Sequence, residues 1–416
     1  SEIETKFNKD FKINLKILND ISFRIFPRPH LLIKKANLDL NVEDEKSAIL
    51  EMEDLRLYIP SNKVYSKQDI IITDLEFGDI NLNLKLNDIK DFRNHLYYKI
   101  NKPININNLK LFLLDNKNDV ILISPLKKLE YQINEKNKSK ELKLKGSIFD
   151  IEFSSIWKRS YKKPKSTFNE ITLTNPDIYI KNIFSFKNKN NFDGSSSIDF
   201  LNENISFNYK YQNQKLIINS SDEKNNQKIK FNSNIELDPF YFDGEIIFEQ
   251  KKLSFITDTI INYIMNADKG LLENLNGILE VNLFNLDNPL FDKGKISFSI
   301  NEGKIKVLNT YMEIEELGIL ESNFNYLIKE GALYLQTTNK LNINDKQEFA
   351  RKFQINFKKT ENIRKIYFEL ERNIDTGEML LSNIFINNKN SQNLLEEVVK
   401  INNMQVLKSI MRDVLP

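Results

Sequence analysis

The residues able to do chemistry are few in this chain of 416 residues. It has no Cys and two His, His30 and His95. That removes disulfide frameworks, cysteine-ligated zinc, iron–sulfur clusters, thiol nucleophiles and any histidine-rich metal site. Carboxylates cluster at Glu51, Glu53 and Asp54 and again at Glu313, Glu315 and Glu316. Paired carboxylates suit acid–base or glycosidase work when they converge in a cleft. The alternation of Glu51 with Glu53, and of Glu313 with Glu315, instead reads as the wet face of a strand. His30 follows Pro27-Arg28-Pro29 at a strand entrance and reads as a surface or turn residue with no assigned role. Asp193 to Asp199 has oxygen ligands without the spacing of a calcium loop and reads as a solvated turn. The stretch Trp157 to Lys165 interleaves aromatics with cations, which suits an anionic headgroup surface or a single strand of nucleic acid. Its ordinary reading is a solvated loop.

No nucleophile elbow, zincin motif, dinucleotide fingerprint or Walker motif is present, and 11 Gly are scant material for a phosphate cradle. No catalytic residue, metal or cofactor is therefore expected. Sixty Lys and Arg face 58 Asp and Glu, a net charge of +2. Such balance gives no broad basic face, so nucleic acid is not an expected partner. Apolar runs of a few residues fall far short of the roughly 20 needed to cross a bilayer as a helix. The charged start at Ser1 does not read as a secretory signal.

The elements that would position any site are mainly strands. Leu82, Leu84 and Leu86 alternate with Asn81, Asn83 and Lys85, and Leu142 and Leu144 alternate with Glu141, Lys143 and Lys145. Ile296, Phe298 and Ile300 alternate with Lys295, Ser297 and Ser299, and Ile305 and Val307 resume after Asn301-Glu302-Gly303, which reads as a hairpin. Turn clusters at Asp115 to Asp119, Tyr211 to Lys215, Ser221 to Gln227 and Thr376 to Glu378 space the chain hairpin after hairpin. The spacing predicts a largely antiparallel meander. Lys187 to Asn191 with Asp193 to Ser197 reads as a long loop. Helical periodicity is confined to Ser254 to Asn266, with Ile256, Ile260, Ile261 and Ile264 on one face, to a shorter stretch at Asp91 to Tyr98, and to Ser391 to Leu415. The last is expected to form an amphipathic C-terminal helix that caps the sheet. Without alternating βα units, a doubly wound nucleotide fold loses its scaffold.

A sheet with one apolar face and few helices must close on itself, pack on a second sheet, or stay open as an apolar trough. A trough lined by Leu, Ile and Phe suits acyl chains, at about 0.8 kcal/mol per buried methylene. Periodicity alone does not separate it from a sandwich or barrel.

Several segments resemble the AsmA-like proteins of Gram-negative bacteria, relatives of the bridge-like lipid transfer proteins. These are Ile25 to Leu40 with its proline-marked turn, Met52 to Pro60, Asp69 to Phe77, Leu144 to Ile148 and Leu173 to Ile180. The strongest are Leu275 to Leu283 and Gly294 to Ile305. Gly78-Asp79-Ile80 stands where the family pattern has a proline. The resemblance implies an elongated twisted sheet curled into an open apolar groove, anchored in the inner membrane by an upstream helix and reaching across the periplasm. It implies phospholipid transfer toward the outer membrane, with phospholipid, the membranes at one or both ends and envelope proteins as partners. The expected division is 1–250 and 251–390 as two β-groove regions, with 391–416 as the terminal helix. Expected groove-lining residues are Leu82, Leu84, Leu86, Leu142, Leu144, Val281, Leu283, Ile296, Phe298, Ile300, Ile305 and Val307. The rival expectation is a structural or adhesive β-protein with a closed core.

Overall fold

The structure is a computed structural model. It describes residues 2–11, 14–42, 45–60, 72–78, 80–85, 88–89, 92, 100, 103–115, 117–134, 139–160, 166–175, 177–186, 191–200, 203–221, 227–261, 263–264, 275–288, 290–314, 316–329, 332–360, 362–374, 376–390, 399–401, 405–406, 408–409 and 412. The protein is mostly β. Its contacts divide it into unit 1 (Ser1–Gln227, Asn232–Phe242 and Lys269–Leu275) and unit 2 (Lys228–Phe231, Asp243–Asp268 and Asn276–Pro416).

Unit 1 opens with a helix, α1 (Glu2–Phe11), whose Phe7 is fully buried and whose Glu4 carboxylate accepts from the Ile17 amide at 2.8 Å. The strands β1 (Asn14–Ile17), β2 (Ile21–Arg24), β3 (His30–Val42), β4 (Glu45–Tyr58), β5 (Asp74–Phe77), β6 (Ile80–Lys85) and β7 (Ile104–Leu114) come after it. Next are β8 (Val120–Asn134), β9 (Ser139–Ile148), β10 (Ile151–Ser160), β11 (Ser166–Leu173), β12 (Ile178–Phe186), β13 (Phe192–Phe200), β14 (Glu203–Gln212) and β15 (Lys215–Ser220). From β7 to β15 each strand pairs antiparallel with the next. The expectation of an antiparallel meander needs one correction. Both β5 and β6 lie parallel to β7, because the chain leaves β6 and returns through a long connection in the same direction.

The unit 1 core gathers Leu50, Met52, Leu55, Leu57, Leu82, Leu84, Leu109 and Tyr131, all buried. Alternation predicted Leu82 and Leu84, since every second residue of a strand shares a face, whereas in β4 the buried positions change phase between Met52 and Leu55, across Asp54 with its positive φ. Farther along, the inward positions turn polar. Asn169 donates to Ser155 Oγ at 2.8 Å and accepts from Asn182 Nδ2 at 2.9 Å, and the Ser196 hydroxyl donates to Asn182 Oδ1. Register sets this ladder, because Asn169 stands opposite Asn182 and Asn182 opposite Ser196. Asn169, Ser155 and Ser196 are buried, and mutual hydrogen bonding offsets the cost of desolvating them.

Two other expectations are corrected here. Asp193 to Ser197 is not a loop but part of β13, where a Cβ on Gly194 would lie 2.6 Å from the Ile183 carbonyl and from the Tyr209 hydroxyl. Small residues sit there because the neighbouring strands approach closely. Trp157, Lys158, Arg159 and Ser160 lie in β10, with Trp157 edge-on to Phe184 at 5.8 Å, while 161–165 fall outside the described residues. The Lys187 to Asn190 part of the expected loop, residues 222–226 of the expected turn, Leu86 and most of Asp91 to Tyr98 also lie outside them.

After β16 (Ile229–Leu237) and β17 (Phe240–Glu249), unit 2 carries a short helix, α2 (Leu253–Phe255), continuing as a π-helical turn, Ile256–Ile261. Ile256, Ile260 and Ile261 are buried, as the spacing anticipated. The strands β18 (Asn276–Phe284), β19 (Phe291–Asn301), β20 (Lys304–Ile314), β21 (Gly318–Lys329) and β22 (Ala332–Ile343) form a consecutive antiparallel set. Two helices, α3 (Lys346–Phe353) and α4 (Phe357–Thr360), precede β23 (Lys365–Asn373), β24 (Met379–Ile386), β25 (Lys389–Asn390) and β26 (Val399–Ile401). Asp345 caps α3 by accepting from the Glu348 amide at 2.9 Å, satisfying one of the orphan donors of the first turn.

The expected C-terminal helix is corrected in part. Val399–Ile401 is a strand paired with β24, so an apolar stripe was satisfied by a sheet rather than by a helix. Gln405, Val406, Lys408, Ser409 and Arg412 are helical, and the remainder of 391–416 lies outside the described residues. Among the described residues no helix is long and apolar enough to cross a membrane.

Candidate functional site

The inner face of the unit 2 sheet is a lattice of rows fixed by register. Met312, Leu320, Leu341 and Ile366 stand opposite one another across β20 to β23. The next row is Thr310, Ser322, Asn339 and Phe368, then Phe324, Thr337, Leu370 and Leu381, then Tyr326, Leu335, Arg372 and Met379. With side chains repeating every second residue, neighbouring rows lie about 6.6 Å apart. Leu253, Thr257 and Ile261 of the helical segment and Phe353 of α3 join these rows around a mainly apolar cavity of about 510 Å³.

The helical segment is fastened to the last row. Arg372 donates from both terminal nitrogens to the two carboxylate oxygens of Asp258, each at 2.8 Å, and from Nη1 to Thr257 Oγ1 at 3.3 Å. Tyr326 donates its hydroxyl to the Thr257 carbonyl at 3.1 Å. A π-helical turn widens the helix by one residue, and here it carries both anchoring residues. Burial pushes the Tyr326 hydroxyl well above its ordinary pKa, and the nearby Asp258 charge pushes the same way.

Two polar atoms in this wall have no hydrogen-bond partner. They are Arg372 Nε and Thr310 Oγ1, both shut off from solvent. Beside Thr310 the polar row is otherwise satisfied, with Ser322 donating to Asn339 Oδ1 at 2.6 Å and Asn339 donating to Thr337 Oγ1 at 2.7 Å. On the opposite face Lys340 sits on Glu321 at 2.8 Å and holds its carboxyl below the usual range.

Of the expected groove residues, only Ile296 lines this cavity. Val281, Leu283, Phe298 and Ile305 are buried in unit 2, while Ile300 and Val307 are half-buried. Phe298 packs edge-on against Phe324 at 6.3 Å, so it backs the wall rather than forming it. In unit 1, Leu82 and Leu84 belong to the packed core and Leu142 and Leu144 are half-buried against it. His30 is a correction. It is 3% exposed, its Nδ1 within 2.7 Å of the Arg28 carbonyl and its ring 5.4 Å from that of Tyr58. The strand entrance lies where the sequence put it, since β3 begins at His30 itself, but the ring is buried rather than at the surface.

Sequence reasoning missed Thr310, Met312, Phe324, Leu335, Leu370 and Arg372. The signal was present in the alternation of Phe324 and Tyr326 with Asn323 and Asn325, but Thr337, Asn339 and Arg372 put polar residues at inward positions and broke it. Among the described residues no three His, Asp or Glu side chains gather in a way that could hold a metal ion. No family model matches this chain, and no curated protein matches it either.

Proposed function

We propose that this chain binds lipid by an acyl chain in the unit 2 cavity and acts as a non-enzymatic lipid-binding and transfer protein. The observation that carries this reading is the cavity itself, about 510 Å³ walled chiefly by Leu, Ile, Met and Phe. That volume lies within the roughly 300–1,000 Å³ of ligand sites. Ten buried methylenes would contribute about 8 kcal/mol before the costs of ordering the chain. The resemblance to AsmA-like proteins supplies the proposed setting, transfer of phospholipid between the inner and outer membranes from a periplasmic position. No residue is assigned covalent chemistry.

For unit 1 a specific observation favours a structural role. Leu82 and Leu84, at 3% and 6% exposure, are packed among the buried side chains of the unit 1 core. The test is solvent extraction of the chain purified in mild detergent, then mass spectrometry against a β-sandwich control. Lipid near one molecule per chain supports the reading. An extract as clean as the control's, together with no uptake of added phospholipid or of an added single-chain lipid, overturns it in favour of the closed structural protein.

A further inference from the structure

The polar end of the cavity says more about the ligand. Arg372 has five N–H donors in a planar fork. Asp258 takes one from each terminal nitrogen, end-on, at 2.8 Å. The Nε–H has no partner although it is buried. A guanidinium engaged end-on keeps a second fork along its side, made of Nε–H and the remaining hydrogen of one terminal nitrogen. This fork matches the two oxygens of a carboxylate or phosphate. A buried donor left unsatisfied costs about 1–3 kcal/mol, so the site has a standing preference for an acceptor there.

Arg372 also sits in the last row of the lattice; between it and Leu341 lie a row carrying Phe324, Leu370 and Leu381 with Thr337, and the row of Ser322 and Asn339, whose side chains bond to each other, with Phe368. Leu335 stands opposite Arg372 and lies six residues before Leu341 on β22, about 20 Å at 3.3 Å per residue. At about 30 Å³ per chain carbon, the share of volume that a water takes in the liquid, 510 Å³ holds roughly 17 carbons. The space fits one chain.

We propose that the cavity takes a single-chain amphiphile with an oxyanion head, the head bound side-on by Arg372 while Asp258 holds the guanidinium end-on. The inference rests on the reading of the cavity as a lipid site and adds the head chemistry and the chain number. Asp258 then acts as a positioning residue that fixes the plane of the guanidinium in the cavity wall. Carboxylate and phosphate share this chemistry, and the arms of the test separate them.

The experiment uses the full chain stripped of lipid, with calorimetric titration of three probes of equal length: tetradecanol, myristate and 1-myristoyl lysophosphatidic acid, all below their critical micelle concentrations. Myristate, the lysophosphatidic acid or both should bind at least tenfold more tightly than tetradecanol, at one molecule per chain, and the tighter of the two identifies the head. In Arg372→Lys, which keeps the charge but loses the fork, that preference should fall at least fivefold. Equal affinity for all three probes in the wild type overturns the inference and leaves the lipid reading standing. An unchanged preference in Arg372→Lys also overturns it. Failure of every probe to bind sinks the lipid reading itself. If Arg372→Lys does not fold, Asp258→Asn carries the test: the ratio of head-bearing to tetradecanol affinity should fall, and a ratio at the wild-type level goes against the inference.

Discussion

Asp258 and Arg372 lie 114 residues apart in sequence and meet through two parallel hydrogen bonds of 2.8 Å, fastening a π-helical turn across the inner face of a sheet. Both side chains are largely withdrawn from solvent. Hydrogen bonds to charged groups contribute about 1.5–3 kcal/mol. Arg372→Ala is expected to lower the stability of unit 2 by about 2 kcal/mol. A double-mutant cycle with Asp258→Ala, read from urea midpoints, should return a coupling of about 1 kcal/mol or more. Additive effects would mean that the helical segment is held by its apolar contacts alone.

The Tyr326 hydroxyl is raised above its ordinary pKa by burial, and Tyr209 by burial as well. A tyrosine whose folded pKa exceeds its unfolded value of 10.0 keeps its proton in the fold while the unfolded chain loses it. Its contribution is complete below pH 10 and declines above it. Stability should therefore fall above pH 10, by at most about 1.4 kcal/mol per pH unit for each tyrosine. Tyr326→Phe should flatten that alkaline slope in urea titrations between pH 9 and 11. An identical slope would place the loss elsewhere.

Gly294 lies in β19 opposite Met312, and a Cβ there would meet the Met312 sulfur at 2.3 Å. Met312 is flexible and lines the cavity, so the displaced side chain has that space to enter. Gly294→Ala is expected to cost about 1–2 kcal/mol and to weaken tetradecanol binding severalfold. Gly318 makes the contrast: its Cβ would strike the Asn342 carbonyl at 2.0 Å, and backbone cannot step aside as a thioether does. Gly318→Ala should cost clearly more in the same denaturation series.

Four hairpins turn through two residues with positive φ: Phe149-Asp150, Asn213-Gln214, Glu302-Gly303 and Asn387-Asn388. Such loops match the twist of the strands, and Asn-Gly fits them best. Glu302→Asn and Asp150→Gly should each raise stability, by about 0.5–1 kcal/mol, since they relieve a left-handed conformation that Glu and Asp adopt at a cost. Thermal melts of the two variants check this, and no gain would mean that the native side chains make compensating contacts.

These turns also show how far the sequence could be read. Tyr211 to Lys215 and Asn301 to Gly303 carry turn residues and stand where strands reverse. Phe149-Asp150 gives no such signal, because the left-handed residues are held by the flanking ladder rather than by their own preference. The apolar alternation at Leu82 and Leu84 marked a buried face correctly but could not say whether that face bounds an empty space. Emptiness depends on what stands opposite each row. The cavity escaped notice because Thr310, Asn339 and Arg372 occupy inward positions, where polar residues read as the wet side. Only the register reveals that Asn339 is opposite Ser322 and satisfied by it. His30 was misplaced for a similar reason, since Tyr58 reaches it from the neighbouring strand.

The run of strands from β7 to β15, in which each bonds to the one just made, has a consequence for the chain's history as well as its folding. Every hydrogen-bonded partner there lies within a few tens of residues, so loop closure costs little and pairing can proceed as the polypeptide emerges from the ribosome. A duplicated or deleted hairpin within that run displaces the later strands without altering any surviving register. Length in this part of the molecule is therefore a quantity that evolution can adjust two strands at a time.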